Sequence, residues 1–381
     1  MKKFKVAFCL RDMQVGGVEA VFVKMMDALL DQDKYEIVLI TYVDLQEPVY
    51  LDWLRNHPQI KRITLYPSRW FGTRLAHFFL LRLIQRLVRD VYRWWRRMRI
   101  NDSTFADIDL FVDFYDFGFE REFRKLHKPK IAWWHSSINK FHNGNYIART
   151  NVYDRLVMLT DGAANELRMR YPAIGDKVLR IYNPVDVDDI RRRSVMAPTP
   201  IDGDYFCAVA RLSLDKDIVT ILRAFDMFWN QAGRPDVKMV FVGDGDRADE
   251  FKSVAASLSA CGQFVFVGIQ SNPFIYMHGA LAHVLSSHSE GLGMVVIEAL
   301  AAGCTNIASD CKNGPREILL DGKIGLLYKP GNVSELASLM SDVWTRRDMG
   351  WKSADIKRSL ARFDADNIAC DISRLFDDVM K

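Results

Sequence analysis

The chain has 381 residues, 49% hydrophobic and 26% charged, an ordinary globular balance with length for two or three domains and two sizeable cores. The net charge of +4 hides an asymmetry: residues 69 to 99 hold nine arginines and one acid, net +8, which leaves the remainder at −4 and argues against a general nucleic-acid binder. The six cysteines (Cys9, Cys207, Cys261, Cys304, Cys311, Cys370) form no CxxC pair and no metal spacing, and read as reduced thiols of a cytosolic protein.

The start, "MKKFKVAFCL", is basic and apolar, but polar "RDMQVGG" follows without a small-residue cleavage site, so it reads as a buried strand over 4–10 rather than a leader. A Gly-rich turn, "QVGGVEA", leads into "AVFVKMMDALL" with helical spacing, and 35–43 is a second strand. GxGxxG is absent, so a nicotinamide or flavin fingerprint is not supported. Strands follow at 109–115, 130–136 and 154–160, then a helix over 162–171. The segment 179–204 reads as a boundary, with Asn183-Pro184 and a cluster of Pro198, Pro200 and Gly203. A second α/β pattern then begins: strands at 205–212, 238–245, 263–268, 281–287, 305–310 and 324–329, helices at 217–231 and 247–260, and two C-terminal helices. Two successive Rossmann-like halves predict a ligand cleft between them. The expected division is 1–185, 186–365, and a terminal helix over 366–381.

The chemistry concentrates in "SSHSEGLGMVVIEALAAG", residues 286 to 303. Gly291 and Gly293 let backbone approach a ligand, and the helix that begins near Met294 offers free N–H groups to a diphosphate. Glu298, one turn inside, would repel phosphate but accept hydrogen bonds from ribose hydroxyls. Glu290 could serve a second sugar. From spacing alone, the pair reads equally as an exposed loop acid plus an ordinary helical glutamate. Arg211 and Lys216, in "VARLSLDKDI", follow a strand in the same half and could neutralise a departing diphosphate, although exposure is the commoner fate of such cations. Three Asp-x-Asp triplets (107–109, 202–204, 244–246) read as turn or loop acids rather than metal ligands.

With these residues in place the chain resembles the retaining glycosyltransferases of family 4, the group 1 glycosyltransferases, of bacterial surface-polysaccharide type. Glu290 to Glu298 is similar to their two-glutamate signature, "ARLSLDK" to their Gly-Arg-Leu…Lys segment, "FVGDGDRADEF" to their Val-Gly-Asp-Gly stretch, and "QVGGVEA" to their N-terminal Gly-Gly loop. "NPVD" sits where the family passes between domains, and "SDCKNGPREIL…GLLYKPGNVSELA" continues the match. The resemblance implies a GT-B fold: two Rossmann-like, doubly wound α/β domains facing a cleft, the last helix crossing back to the first. By carry-over, Arg211 and Lys216 hold the donor diphosphate, Glu298 the ribose and Glu290 the donor sugar. Gly16 and Gly17 approach the donor from the N-terminal side, and the amides of Gly293, Met294 and Val295 meet phosphate. Ile269 and Gln270 fall where the base lodges, and His135, in "WWHSS", matches a histidine near the sugar, or is simply a polar group near a strand end. Ala210 and Asp217 depart from the glycines usual at those positions, which blurs donor identity.

The resemblance further implies retention of configuration, no cofactor or metal, and a nucleotide-sugar donor, with uridine diphosphate favoured over guanosine diphosphate. Within the N-terminal half, "RLAHFFLLRLIQRLVRDVYRWWRRMRI" (74–100) places Arg82, Arg86, Arg89, Arg93 and Arg96 on one helical stripe. Arginine at every turn excludes a membrane span. The segment fits a helix lying on an anionic membrane, apolar side down, with Arg82, Arg86, Arg89, Arg93, Trp94 and Trp95 in contact; the competing reading is a core helix with an arginine-rich solvent face. The expected enzyme moves a hexose or N-acetylhexosamine to a lipid-linked, lipopolysaccharide or capsule glycan, and is cytoplasmic and peripheral at the inner face of the membrane. A nucleotide-sugar epimerase of the same fold and an inactive membrane-associated interaction protein are the alternatives.

Overall fold

The structure is a computed structural model that describes residues 3–13, 16–66, 79–144 and 146–381, and only the backbone of 79–85. Two parallel sheets organise it. The first contains β1 (Phe4–Leu10), β2 (Tyr35–Thr41), β3 (Lys61–Thr64), β4 (Leu110–Asp113), β5 (Lys130–Trp134), β6 (Arg155–Met158) and β7 (Val178–Arg180) in the order β3-β2-β1-β4-β5-β6-β7. The second contains β8 (Asp204–Val209), β9 (Val237–Val242), β10 (Phe264–Gly268), β11 (His283–Leu285), β12 (Asn306–Ser309) and β13 (Leu326–Tyr328) in the order β10-β9-β8-β11-β12-β13. The expected pair of doubly wound α/β domains is therefore present. Each sheet reverses its strand order once, between β1 and β4 and between β8 and β11, and a crevice opens at the strand ends of such a reversal.

The central strands are the continuous apolar runs: β4 and β5 are buried throughout and β1 from Val6 onward, as strands covered by helices on both faces must be. A single core joins the facing sides of the two sheets, from Phe8 and Phe22 through Tyr182 to Leu292, Val296 and Phe376. The outer faces carry separate cores, around Phe111 and Trp134 in the first domain and around Phe206 and Phe225 in the second.

The last helix, Ala365–Val379, returns to the first domain. Phe376 is fully buried, its ring 6.1 Å from Phe8 and 5.4 Å from Tyr35. Ser373 donates to Gln32 at 2.5 Å, and Arg155 pairs with Asp378 at 2.7 Å. The two chain crossings are tied by the Val185 amide, which donates to the Phe363 carbonyl at 2.8 Å. A second tie comes from Glu317 of the C-terminal domain. Its carboxylate accepts from the amides of Asp161 (3.2 Å) and Gly162 (3.4 Å) at the start of helix Asp161–Arg170, and from the Tyr182 hydroxyl. The negative group thus sits on the positive end of that helix and satisfies its free donors.

Helix Phe79–Met98 carries the expected arginine stripe, but much of that stripe turns inward, whereas both readings of the sequence place it outside, against lipid or solvent. Residues 74–78 and the side chain of Arg82 lie outside the described residues. Beyond them, Arg93 lies over the rings of Tyr42 (5.4 Å) and Tyr66 (5.9 Å). Arg96 donates to the Leu65 carbonyl at 3.0 and 3.2 Å, and Arg97 to the buried Glu122 at 2.9 Å. Arg89 is half-buried, and of the described part of the stripe only Arg86 is exposed. The apolar face points outward: Leu87 is 66% exposed, Val91 63% and Trp94 59%, with Val88, Trp95 and Met98 beside them. Arg93 and Arg96 are therefore corrected from an outer to an inner face, because the Leu65 carbonyl and two tyrosine rings offer guanidinium groups partners there, while Arg86 stays exposed and Arg89 half-buried. Trp94 and Trp95 remain at the surface. Among the described residues no helix is long and apolar enough to cross a membrane.

All six cysteines are free. In the triplets, Asp107 pairs with Lys5 at 2.7 Å, Asp204 with Arg347 at 2.6 Å, and Asp244 accepts from the Gly245 amide at 2.8 Å. Among the described residues no three His, Cys, Asp or Glu side chains gather as a metal cluster.

Two stability tests follow from this packing. Phe376→Ala empties a site shared with two aromatic rings and should lower the unfolding free energy of the N-terminal domain by about 3–5 kcal/mol in denaturant titrations; a change below about 1 kcal/mol would mean that the last helix is not a structural part of that domain. His283, fully buried in β11, donates from Nδ1 to the Asn306 side chain at 3.0 Å, and burial lowers its pKa to about 4. The fold holds it neutral, so the unfolded chain takes up the proton first. Its contribution is intact above pH 6.5 and falls by about 3 kcal/mol as pH drops towards 4. The stability gap between wild type and His283→Met should narrow by that amount over the same range, measured by denaturation at a series of pH values.

Candidate active site

The second-domain half of the site is built at the β8/β11 reversal. Arg211 lies two residues past the end of β8, and the loop that carries it is fixed by the loop after β9. The Ala210 amide donates to the Val242 carbonyl and the Leu212 amide to the Asp244 carbonyl, both at 3.0 Å. This parallel track explains "VGDG". A Cβ on Gly243 would lie 2.1 Å from the Ala210 carbonyl oxygen, and one on Gly245 2.3 Å from that of Leu212. Only glycines let the two loops lie this close. Lys216 ends the short turn Leu214–Lys216, and Asp217 after it has φ +46 and ψ 49. That left-handed backbone is where a glycine would be at ease; here Asp217 offsets the strain by accepting from Thr220 at 2.7 Å and pairing with His288 at 3.1 Å.

Lys216 and Glu290 meet. Their ion pair is 2.7 Å long, and Ser287 donates to the same Glu290 oxygen at 2.6 Å. Ser286 donates to the Lys216 carbonyl at 2.5 Å. The two residues, 74 apart in sequence, are thus held by neighbouring serines at the end of β11. Burial works against the charge of nearby Asp215, but Ser213, Lys216 and Arg211 together keep its carboxyl below the usual range.

Gly293 caps helix Met294–Ala301 with φ +87, so the glycine is required by backbone conformation. Gly291 serves a different end from the expected approach to a ligand: a Cβ there would lie 2.2 Å from the His135 carbonyl oxygen of the opposite domain. Glu298 lies four residues beyond Met294, on the same helix face and one turn deeper. It is half-buried, and burial raises its pKa, opposed by Lys24 and Arg193.

The first domain supplies His135, at the end of β5. Both ring nitrogens are buried without a partner among the described residues, while the ring packs against Phe114 (4.3 Å) and stacks parallel to Trp133 (6.4 Å). Burial lowers its pKa to about 4, with Asp116 pulling the other way, so the imidazole is neutral at pH 7. Asp116 positions this turn: it accepts from the His135 amide at 2.7 Å, from Ser136 and from Lys140 at 3.1 Å.

A cavity of about 690 Å³ lies between the domains. It brings together Gly17, His135, Arg211, Lys216, Glu290, Gly293, Met294 and Val295, all expected from sequence. It does not include Gly16, Glu298, Ile269 or Gln270. Gly16 precedes helix Gly17–Leu30 at the cleft edge. Ile269 is 80% exposed beyond β10, and Gln270 donates to the Val267 carbonyl at 2.7 Å. Polar lining residues that the sequence reading does not single out include Asn183, Ser136 and Lys140. Asn183, read as a domain connection, turns a buried Oδ1 without a partner into the same wall, and Ser136 and Lys140 extend it from the Asp116 turn. The signal for that turn was available in "FYDFG", an acid at the end of a central strand.

Residues 193–355 match the family described as Glycosyl transferases group 1. An uncharacterized glycosyltransferase of Methanocaldococcus jannaschii is 22% identical over 321 residues, 76% of each chain. An N-acetylgalactosamine-N,N'-diacetylbacillosaminyl-diphospho-undecaprenol 4-alpha-N-acetylgalactosaminyltransferase of Campylobacter jejuni is 25% identical over 209 residues, 55% of this chain and 56% of that one. The crystal structure of Anabaena HepE in complex with UDP and glucose superposes with a TM-score of 0.73 at 18% identity, covering 98% of this chain and all of the other. Two parallel-sheet domains, a cleft at their reversal points and these matches agree: the chain is a glycosyltransferase of GT-B fold, and its residues 193–355 are similar to the group 1 family.

Proposed function

We propose that the chain transfers a hexose or N-acetylhexosamine from a UDP-sugar, with retention, to a lipid-linked, lipopolysaccharide or capsule glycan at the cytoplasmic face of the membrane. The observation that carries the reading is the Lys216–Glu290 pair, 2.7 Å long, facing Arg211 in a cleft of about 690 Å³ between two domains. A donor diphosphate would draw Lys216 from Glu290 and lie on Lys216, Arg211 and the amides at Gly293–Val295. Released from the lysine, Glu290 would accept hydrogen bonds from the donor sugar, and Glu298 would do so from the ribose. Ile269 and Gln270 would border the base. Neutral His135, with both nitrogens unpartnered and buried, suits sugar hydroxyls, which donate and accept. The bond from the anomeric carbon to the diphosphate breaks, the bond to the acceptor oxygen forms on the same face, and the acceptor proton passes to the departing phosphate. Arg211 and Lys216 stabilise the charge that develops there without a divalent ion. The UDP and glucose held by HepE, and the lipid diphosphate in the name of the Campylobacter relative, support the donor and acceptor classes.

Lys216→Ala and Arg211→Ala should each lower kcat by about 10²–10³, more than they weaken UDP binding. Glu298→Gln should raise the dissociation constant of the donor. Nucleotide release, with and without acceptor glycan, is the measurement, run also in excess chelator, where the rate should stay within about twofold. Turnover within about twofold of wild type in either cation variant removes the diphosphate role. Loss of rate in chelator with recovery on magnesium or manganese removes the metal-free mechanism. Conversion of the donor sugar without nucleotide release would mark an epimerase.

Membrane contact is proposed through the exposed face of helix Phe79–Met98, apolar side down, with the arginines above it. Exposed tryptophan and aliphatic side chains on one helix face suit the interface of a bilayer. In vesicle sedimentation, Val91→Ser/Trp94→Ser/Trp95→Ser should bind phospholipid vesicles at least about tenfold more weakly and leave donor hydrolysis unchanged. Failure of the wild type to sediment with neutral or anionic vesicles would remove the membrane reading.

A further inference from the structure

Two further cavities join the outward-facing helix to the donor cleft. One, of about 480 Å³, shares His135, Ser136 and Lys140 with the donor cavity and runs to Arg97 and Arg149. The other, of about 440 Å³, shares Tyr42, Tyr115 and Gly118 with the first and reaches Arg93. The path therefore begins at the inner face of helix Phe79–Met98, whose outer face is the apolar stripe, and ends at the His135 ring.

The charge along the path is unbalanced. The first cavity is lined by three carboxylates, and each has a cation among the described residues: Glu122 holds Arg97, Asp116 holds Lys140, and Glu120 holds Arg124 from outside the cavity. Arg121 and Arg149 line the same cavity in addition, Arg149 with its guanidinium 4.6 Å from the centre of the Tyr146 ring. They are cations in excess of the lining acids. A neutral glycan would leave that excess uncompensated, whereas a phosphate fits the planar donors of two arginines. Its source is indicated by the helix, because apolar side chains outside and arginines inside place the path at headgroup depth beneath a bilayer contact.

We infer that the acceptor is a sugar carried on a lipid phosphate or diphosphate, with that phosphate held by Arg121 and Arg149 and its sugar delivered past His135 to the donor cleft. This rests on the donor assignment above and adds an anion site separate from the donor diphosphate site, since neither arginine lines the donor cavity. Calorimetric titration of the full chain, saturated with UDP so that the donor site is occupied, tests it with geranyl diphosphate, geraniol and inorganic diphosphate. Geranyl diphosphate should bind, geraniol and inorganic diphosphate at least about tenfold more weakly, and Arg121→Gln/Arg149→Gln should lose at least about tenfold in geranyl diphosphate affinity, one decade being about 1.4 kcal/mol. UDP affinity of that variant within about twofold of wild type reports an intact fold. Arg121→Lys/Arg149→Lys should recover part of the binding. Equal binding of geraniol would show that lipid alone is recognised, equal binding of inorganic diphosphate that a free anion is, and unchanged affinity in the glutamine variant that the arginines are not the site; each overturns the inference. Failure to bind UDP at all defeats the donor assignment instead. The comparison of wild type with the glutamine variant then still decides the acceptor site.

Discussion

The approach of Gly291 to the His135 carbonyl is the contact on which the site depends. It brings the end of β11 against the end of β5, from opposite domains, with no space for a Cβ between them. Glu290 lies on one side of that contact, the His135 ring and the Asp116 turn on the other. A glycine here is a requirement of domain apposition, and the ties at Glu317 and Val185 hold the same apposition from the far side.

Within that cleft the polar groups are arranged to be satisfied in two ways. Lys216 and Glu290 neutralise one another, while the nitrogens of His135 and the Oδ1 of Asn183 are buried without partners among the described residues. Leaving such groups unsatisfied costs about 1–3 kcal/mol each. In the proposed donor complex a sugar diphosphate would offer anionic oxygens to the lysine and hydroxyls to the freed glutamate and to the orphaned atoms. The exchange would replace one ion pair with charge-assisted contacts on both partners, so the donor would not leave a buried charge alone. The same arithmetic explains how two carboxylates could stand beside a helix start proposed to take phosphate: one is neutralised by a lysine, and the other lies a turn below, with its pKa raised by burial.

Much of this was legible in sequence, and the misses share a physical cause. The central strands are continuous apolar runs that cannot be mistaken, but β3 and β7 passed unnoticed. They are the edges of the first sheet; β3 is the largely exposed Lys-Arg-Ile-Thr and β7 has only three residues, so neither needs an apolar signature. Arg211, Lys216, Glu290 and Gly293 follow strand ends and could be located by spacing. Asn183 could not, because the chain folds a domain connection into the cavity wall, and a linker asparagine carries no local mark of that. "VGDG" was readable as a motif, but its reason, a second loop lying across it, is a tertiary fact.

Helix Phe79–Met98 shows where periodicity ends as an argument. A 3.6-residue period establishes that arginines and apolar residues occupy opposite faces. It says nothing about which face turns inward, and the ordinary assumption, apolar side in, fails because the neighbouring surface is not apolar. Glu122 is buried beneath Arg97 and bonded to the hydroxyls of Tyr66 (2.9 Å) and Tyr42 (3.3 Å) as well. Turning the arginine face outward would strand that carboxylate in a low-dielectric site without its cation, a far greater loss than exposing a few aliphatic groups to water. The buried acid therefore orients the helix, and the helix, so oriented, presents Leu87, Val91, Trp94 and Met98 as an apolar stripe that water alone does not favour. One carboxylate inside the first domain is what fixes the side of this chain that faces outward with apolar groups.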